Sequence, residues 1–218
     1  MSVFTLKIIA CVTMLIDHIG VILFPQNNLF RIIGRLAFPI YSFLIVNGVK
    51  HTRDVKKYLI RLAIFAVISQ IPYSIMVTGS FFSSKLNIFF TEVIGILTIL
   101  CYDKVKNKPL VFAILPCFAI SLFAEIIKTD YGMYGVLTIL KFYIAKNNNQ
   151  LMIIYQVALN VLYLVLTHST SNIQYFSLFA LIPICFYNRK EGIKLKYFFY
   201  VFYSLHIALL LLIKEVLV

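Results

Sequence analysis

Charged residues are scarce in this sequence. They make up 13% of the 218 residues, whereas hydrophobic residues make up 61%. A soluble domain cannot bury so large an apolar fraction, and chains of this composition are typical of proteins that cross a membrane several times. The scarcity of charge therefore excludes a soluble domain of any size and predicts an all-α, polytopic membrane protein.

The motifs of several common site classes are also missing. The sequence has no H-E-x-x-H, no G-x-S-x-G and no glycine-rich phosphate loop, so metalloproteases, serine hydrolases and nucleotide-binding proteins lose their simplest support. Four cysteines are scattered singly without a C-x-x-C or paired spacing, and we expect neither disulfides nor a metal site. The first apolar stretch has no small-residue cleavage site, which predicts a retained helix rather than a removed signal peptide.

Apolar runs of near-membrane length recur along the whole chain. They predict about nine transmembrane helices, with a range of eight to ten, packed as a helical bundle in a single domain from 1 to 218. The fourth and sixth runs are short, and we expect them to tilt, kink or enter the membrane only in part. The predicted spans are 6–24, 31–49, 59–77, 87–102, 109–127, 131–145, 151–167, 173–187 and 197–213.

The distribution of basic residues predicts the orientation. The net charge is +12, from 20 basic and 8 acidic residues, and 15 of the 20 basic residues fall on the cytoplasmic side if the N-terminus is cytoplasmic. The positive-inside rule therefore predicts an N-in topology, and anionic lipid accounts for the basic charge without nucleic acid. These residues are Lys7, Lys50, Arg53, Lys56, Lys57, Arg61, Lys104, Lys106, Lys108, Lys141, Lys146, Arg189, Lys190, Lys194 and Lys196.

Two histidines from opposite ends of the chain are predicted to lie at one depth. At 1.5 Å per helical residue, His18 is roughly 16 Å from Lys7, and His206 is roughly 14 Å from Tyr197. Asp17 precedes His18 inside the same apolar helix, where an unpaired charge costs at least ~2.5 to 3.5 kcal/mol. Such residues are candidates for function, although an ion pair and a hydrogen-bonded histidine that only fix helix packing are the alternative.

The most plausible partner for Asp17 is Arg35, which enters the membrane about one turn beyond Arg31 and has a long side chain. Asn87 and Tyr131 lie at helix ends on the same predicted outer half of the membrane. We therefore expect a polar site that opens outward, with Asp17 orienting Arg35 and His18 left for proton transfer.

Five short motifs, in order along the chain, give a family resemblance. They are Asp-His in "LKIIACVTMLIDHIG", Gly-Arg-x-Ala-Phe-Pro in "RIIGRLAFPIYSFLIVNGVK", Asn-Ile-x-Phe in "NIFFTEVIGIL", Tyr-Gly-x-x-Gly in "DYGMYGVL" and Phe-Tyr-x-x-His in "KYFFYVFYSLHIALLLLI". Each motif is weak alone, but the ordered set covers nearly the whole chain. The sequence resembles TraX, the membrane acetylase of conjugative pilin, a family related to multi-span acyltransferases.

The resemblance implies an acetyltransferase of the bacterial inner membrane. Acetyl-CoA would be the cytosolic cosubstrate, with no metal, and the acceptor would be an amine or hydroxyl of an exported or membrane-inserted partner such as a pilin or peptide N-terminus. In this reading His18 and His206 are the proton acceptors, with Asp17 beside them. Arg35, Asn87 and Tyr131 would contact the substrate or the developing oxyanion.

The basic run "KHTRDVKKYLIR" supplies candidate ligands for the phosphates of acetyl-CoA, namely Arg53, Lys56 and Lys57. The same run is also interpretable as a solvated positive-inside loop. Two other classes of function stay open: a small transporter or flippase, which also needs buried charge and broken helices, and a scaffold for pilus or secretion assembly. The lack of an internal repeat counts against the transporter.

Overall fold

The computed structural model describes residues 1–145, 148–167, 172–193, 195 and 197–217, and this part of the chain is helical. Lys146, Lys194 and Lys196, which the orientation argument counts, lie outside the described residues. The helices form two compact units, one from Met1–Leu44 with Asn148–Val218 and the other from Ile45–Asn147. We call them the terminal unit and the central unit. The single domain stays a prediction.

The terminal unit contains both ends of the chain. Its core is the first helix, α1 (Val3–Leu23), packed against α2 (Asn28–Gly34) and the last helix, α10 (Phe198–Leu217). A 3-10 helix, η1 (Asn172–Ala180), packs against α2, α8 (Asn149–Thr167) and α9 (Leu181–Cys185). Backbone hydrogen bonds also join the start of the chain to the segment before α10, from Val3 N–H to Lys190 O and from Phe4 N–H to Glu191 O. The helices are α1 (Val3–Leu23), α2 (Asn28–Gly34), α3 (Ala37–His51), α8 (Asn149–Thr167), η1 (Asn172–Ala180), α9 (Leu181–Cys185) and α10 (Phe198–Leu217), with the unit boundary inside α3.

The central unit is built around α5 (Ile88–Val105). This helix packs against α4 (Val55–Thr78), α6 (Leu110–Ile126) and α7 (Gly132–Ala145). A single β-bridge between Leu86 and Thr129 joins the segments that precede α5 and α7. Its complete helices are α4 (Val55–Thr78), α5 (Ile88–Val105), α6 (Leu110–Ile126) and α7 (Gly132–Ala145).

Local sequence explains where several helices begin and end. The side chains of Ser2, Asn27, Asp54 and Asn87 each accept a backbone N–H of the helix that follows, as N-caps do. Gly79 ends α4 with φ +68°, a conformation that glycine adopts without strain.

A proline separates α2 from α3. The ring nitrogen of Pro39 cannot donate to the carbonyl of Arg35, four residues earlier, and its ring would clash with that carbonyl in a continuous helix. Pro39 instead lies in the first turn of α3, where no intrahelical donor is required. The predicted span 31–49 is therefore two helices.

The membrane prediction is supported in part. Four helical segments are long and apolar enough to span a bilayer, namely Val3–Leu23, Asn28–His51, Val55–Thr78 and Phe198–Leu217. Shorter apolar helices follow four of the other predicted runs, and the run 87–102 corresponds to the 18-residue helix α5. The run 173–187 begins as η1 rather than as an α-helix. Large apolar side chains of α6 face outward, for example Leu110, which is 73% exposed. Such exposed apolar surface is expected against lipid and is consistent with an integral membrane protein.

One basic residue lies elsewhere than the orientation argument placed it. Lys141 was counted with the cytoplasmic loop residues, but it lies inside α7 and is buried. The N-in topology rests on the remaining basic residues and stays a prediction.

Two glycines let α1 and α2 approach closely. A Cβ atom at Gly34 would overlap the carboxyl group of Asp17, and a Cβ atom at Gly20 would overlap the side chain of Phe30. A close approach of this kind needs glycine because any larger side chain would hold the helices apart. The glycines of the Asp-His-Ile-Gly and Gly-Arg motifs thus have a packing role.

We expect Gly34→Ala to lower the free energy of unfolding by about 1–3 kcal/mol, because the added methyl group must displace Asp17 from α2. Thermal unfolding in detergent would show this as a fall in Tm of about 2–4 °C per kcal/mol. Ile33→Ala is the control, since Ile33 lies on the same helix and is 40% exposed. A Gly34→Ala protein as stable as the wild type would contradict this packing.

Candidate functional site

The structure brings His18 of α1 and His206 of α10 into direct contact. Nδ1 of His18 lies 2.6 Å from Nε2 of His206, and the two rings stack with centroids 4.9 Å apart. Both side chains are buried, at 8% and 5% exposure. The equal depth predicted from helix rise therefore corresponds to a hydrogen-bonded pair that joins the first helix to the last.

The hydrogen-bond partners fix the tautomers of a neutral pair. Nδ1 of His206 is hydrogen-bonded to the carbonyl oxygen of Phe202, which only accepts, so this nitrogen carries the proton. Nε2 of His206 must then accept, and His18 must donate from Nδ1. The remaining nitrogen of His18, Nε2, is left with a lone pair and is the atom of the pair that can take a proton.

Two aromatic rings of α10 pack against the pair. The ring of Tyr203 lies 6.0 Å from each histidine ring, edge-on to both, and the ring of Phe202 stacks on His206 at 4.7 Å. Neither of these aromatic residues was among those predicted for the site. Tyr203 is 4% exposed and lies one turn before His206, so it belongs to the site.

Asp17 points away from the histidine pair toward α2, as expected for the residue next to His18 on a helix. Its Oδ2 accepts a hydrogen bond from Nη1 of Arg31 at 2.6 Å, and its Oδ1 lies 3.9 Å from Nη2 of Arg35. The predicted contact with Arg35 is therefore present. Arg31 makes the shorter of the two contacts and was not predicted as a partner of Asp17.

Gln174 completes the cluster, and sequence reasoning missed it. Its Oε1 accepts from Nη1 of Arg35 at 3.3 Å, and the residue is 6% exposed. It lies on η1, so the contact links α2 to a segment far along the chain. The only signal in the sequence was a lone glutamine in the apolar run "NIQYFSLFA", which does not identify a partner.

The other two predicted substrate residues lie in the central unit. Asn87 is fully buried and uses its amide as a cap and cross-link, donating to Ala66 O at 2.7 Å and Gln70 Oε1 at 2.9 Å and accepting from Phe89 N–H. Tyr131 has φ +61° and directly precedes α7. These contacts favour a structural role for Asn87, and the substrate role of both residues stays a prediction.

The predicted phosphate ligands lie between α3 and α4, also in the central unit. Arg53, Lys56 and Lys57 are exposed. The Asp54 carboxylate accepts the backbone N–H of Lys57 and lies 3.6 Å from its Nζ, and this backbone hydrogen bond holds the pKa of Asp54 below its ordinary value. Asp54 therefore places a negative charge within the basic loop at neutral pH.

Metal ligation finds no support in the positions of these side chains. Within the ranges that the structure describes, no three His, Cys, Asp or Glu side chains converge as a metal site requires.

Comparison with known proteins places the chain in a family. The family model described as TraX protein matches residues 2–214. The chain is 30% identical to the probable fimbrial assembly protein FimC, serogroup H1, of Dichelobacter nodosus, across 96% of this chain and 94% of that protein. A shorter match, 50% identical over 38 residues, covers 17% of this chain and 15% of an uncharacterized protein of Rickettsia prowazekii (strain Madrid E).

No solved structure matches the chain. The family match nevertheless covers both units and every residue of the histidine pair and the Asp17 cluster. The chain therefore belongs to the TraX family.

Proposed function

We propose that the protein transfers an acetyl group from cytosolic acetyl-CoA to an amine or hydroxyl of an exported or membrane-inserted acceptor. The observation that carries this proposal is the His18–His206 pair, because its hydrogen bonds leave one proton-accepting nitrogen in a buried site. Membership of the TraX family supplies the reaction class.

The proposed step for an amine acceptor needs one base. The neutral nitrogen attacks the thioester carbonyl carbon, a C–N bond forms, and the C–S bond breaks. Nε2 of His18 takes the proton from the attacking nitrogen and returns it to the departing sulfur, so the products are the acetylated amine and CoA thiol. His206 holds the ring of His18 through Nδ1 and is a positioning residue.

The neighbouring charges supply electrostatic stabilisation. Two arginines surround one carboxylate in the Asp17 cluster, which leaves a net positive charge, and their side chains are 35% and 15% exposed. A fixed positive charge in a site of low dielectric stabilises a developing oxyanion more strongly than it would in water. Arg31 and Arg35 are therefore the proposed oxyanion or acceptor ligands, and Asp17 orients them.

The donor has phosphates that must remain in water. We assign them to the exposed residues Arg53, Lys56 and Lys57, since a basic loop attracts phosphate. Coenzyme A would act here as a cosubstrate that leaves after each turnover.

The proposed acceptor is a pilin or another exported peptide with a free N-terminus. The relative from Dichelobacter nodosus is named a probable fimbrial assembly protein, which favours a pilus subunit as partner. That name also supports a second candidate, an assembly scaffold in which the polar cluster is only structural. The two bacterial relatives agree with residence in a bacterial inner membrane.

Substitution of His18 tests the reaction directly. We expect His18→Gln to lower acetyl transfer by about 10²–10⁴-fold, because glutamine still hydrogen-bonds His206 but cannot accept the proton. The measurement follows labelled acetyl groups and free thiol release with protein in lipid discs and a mixture of exported peptides. His51→Gln is the matched control, since His51 is exposed at the end of α3.

His206→Gln should reduce transfer less and shift the pH dependence of turnover, because the ring of His18 loses its orienting partner rather than its basic nitrogen. Wild-type transfer by both the His18 and the His206 variants would refute this mechanism. Pilus assembly that needs the protein but survives both substitutions would instead identify a scaffold.

Asp54→Asn tests the donor loop. Asparagine keeps the N-cap of α4 but removes the negative charge beside Lys57. We expect the affinity for acetyl-CoA to rise about two- to fivefold, with the gain shrinking at high salt because the charges are exposed. Lys85→Gln is the control, since Lys85 is an exposed lysine of another loop. An unchanged affinity at every salt concentration would remove the loop from the donor site.

A further inference from the structure

Most buried polar side chains of the central unit have partners within it. Thr98 donates to Ile94 O at 2.9 Å, and Thr91 donates to Asp130 O. Three buried atoms of this unit are exceptions. Among the described residues of this unit, no hydrogen-bond partner is present for Arg61 Nε, Thr138 Oγ1 or Lys141 Nζ. Each of these groups is a hydrogen-bond donor, and two of them are cationic.

Lys141 is the least compensated of these groups. The residue is 5% exposed, and its Nζ lies 4.3 Å from the centre of the Phe142 ring, a cation–π contact that supplies no counter-charge. No ion pair to Lys141 occurs within the described ranges. An isolated ammonium in apolar surroundings is strongly disfavoured, so Lys141 holds its charge only when an anion lies beside it.

Thr138 supplies a second donor next to Lys141. It lies three residues earlier on α7, which places the two side chains on neighbouring positions of one helix face, and it is fully buried. A hydroxyl and an ammonium one turn apart are both satisfied by a ligand that carries several acceptor oxygens. Water would satisfy the hydroxyl but leave the ammonium without a counter-charge.

Lys141 lies near one end of α7. It is four residues before the last residue of the helix, about 6 Å along the axis, at the end that faces the cytosol in the predicted topology. Another cation lies at this end of the helix but beside a residue on a different face, since Lys50 Nζ is 5.7 Å from the ring of Tyr143.

The carboxylate near Tyr143 is not a recorded partner of Lys141. Asp103 accepts from Tyr143 Oη at 2.6 Å and from Lys106 Nζ at 2.8 Å. A ligand that carries several anionic oxygens would supply both the charge and the acceptors that Lys141 and Thr138 lack among the described residues.

We propose that Thr138 and Lys141 form an anion site that binds a phosphate-bearing ligand. The lysine ammonium group and the threonine hydroxyl group both donate hydrogen bonds to phosphate oxygens. The phosphate has two possible sources, coenzyme A and the headgroup of an anionic phospholipid. Coenzyme A as the source rests on the proposed function, whereas the site itself does not.

Ligand binding to protein in discs of neutral phosphatidylcholine tests this site. Coenzyme A is titrated in one arm, and phosphatidylglycerol is added to the discs in the other. We expect the wild type to gain thermal stability from at least one of these ligands. Lys141→Met should weaken that binding by tenfold or more and abolish the gain in Tm, and Thr138→Val should weaken it less.

Two further measurements distinguish a folding defect from a loss of binding. Unliganded Lys141→Met should melt no lower than the wild type, because methionine replaces a buried amino group that has no hydrogen-bond partner with an apolar side chain of similar volume. Lys104→Met, which alters an exposed lysine of α5, should bind like the wild type. Binding by Lys141→Met at wild-type affinity, or no binding of either ligand by the wild type, would overturn the site.

The two arms also distinguish a failure of this site from a failure of the proposed acetyl transfer. If only phosphatidylglycerol gives a response that depends on Lys141, the site stands but coenzyme A is not its ligand. A Lys141-dependent response to coenzyme A keeps the site even if labelled acetyl groups never reach an acceptor, in which case only the proposed transfer fails.

Discussion

A carboxylate inside the hydrocarbon layer has to be paired, and the pairing of Asp17 organises the terminal unit. The contact with Arg31 at 2.6 Å requires α2 to lie directly against α1, and Gly34 permits it because no side chain stands between α2 and the carboxyl group. Pro39 ends the possibility of one continuous helix after Arg35, so α2 can take its own direction. The charge, the glycine and the proline thus act together.

The same pairing sets the direction of His18. Because successive helical residues point about 100° apart, an Asp17 that faces α2 leaves His18 to face another neighbour, and that neighbour is α10. The contact with His206 then orders the two rings through donors and acceptors rather than through charge. A buried histidine that donates to one partner and keeps its second nitrogen basic is the arrangement by which enzymes orient a general base.

Residue type and helix rise were sufficient to predict part of this site. The equal depth of His18 and His206 followed from counting residues, because both lie on long helices with clear polar ends. The contact of Asp17 with Arg35 was predicted, but the closer contact with Arg31 was not, because depth alone does not separate two arginines that lie one turn apart and face the same carboxylate. Gln174 was beyond prediction, since its role depends on a contact across 139 positions of sequence.

The helix boundaries and helix types likewise include features that depend on local sequence and features that depend on packing. The cap at Asn87 and the break before Pro39 depend on local sequence, although 31–49 was predicted as one span and Asn87 was predicted as a substrate residue. The 3-10 geometry of η1 is not local in this sense, because a run of apolar residues is compatible with either helix type and packing decides between them. Apolar periodicity therefore predicted that residues 173–187 approach membrane length, but not the conformation with which Gln174 reaches Arg35.

The two units hold their buried donors in different ways, and the difference bears on function. In the terminal unit Arg31 donates to the Asp17 carboxylate, and the histidines are bonded to each other and to a carbonyl, so the donors of these groups have acceptors within the chain. The unpartnered atom of this cluster is an acceptor, Asp17 Oδ1, which lies 3.9 Å from Arg35 Nη2. In the central unit Lys141 and Thr138 offer donors without an acceptor in the described residues. Donors that already have acceptors are suited to hold catalytic groups in place, whereas an unmatched set of donors gains free energy only when an acceptor-rich molecule arrives. The first arrangement favours chemistry at a fixed site, and the second favours binding that is reversible and dependent on charge.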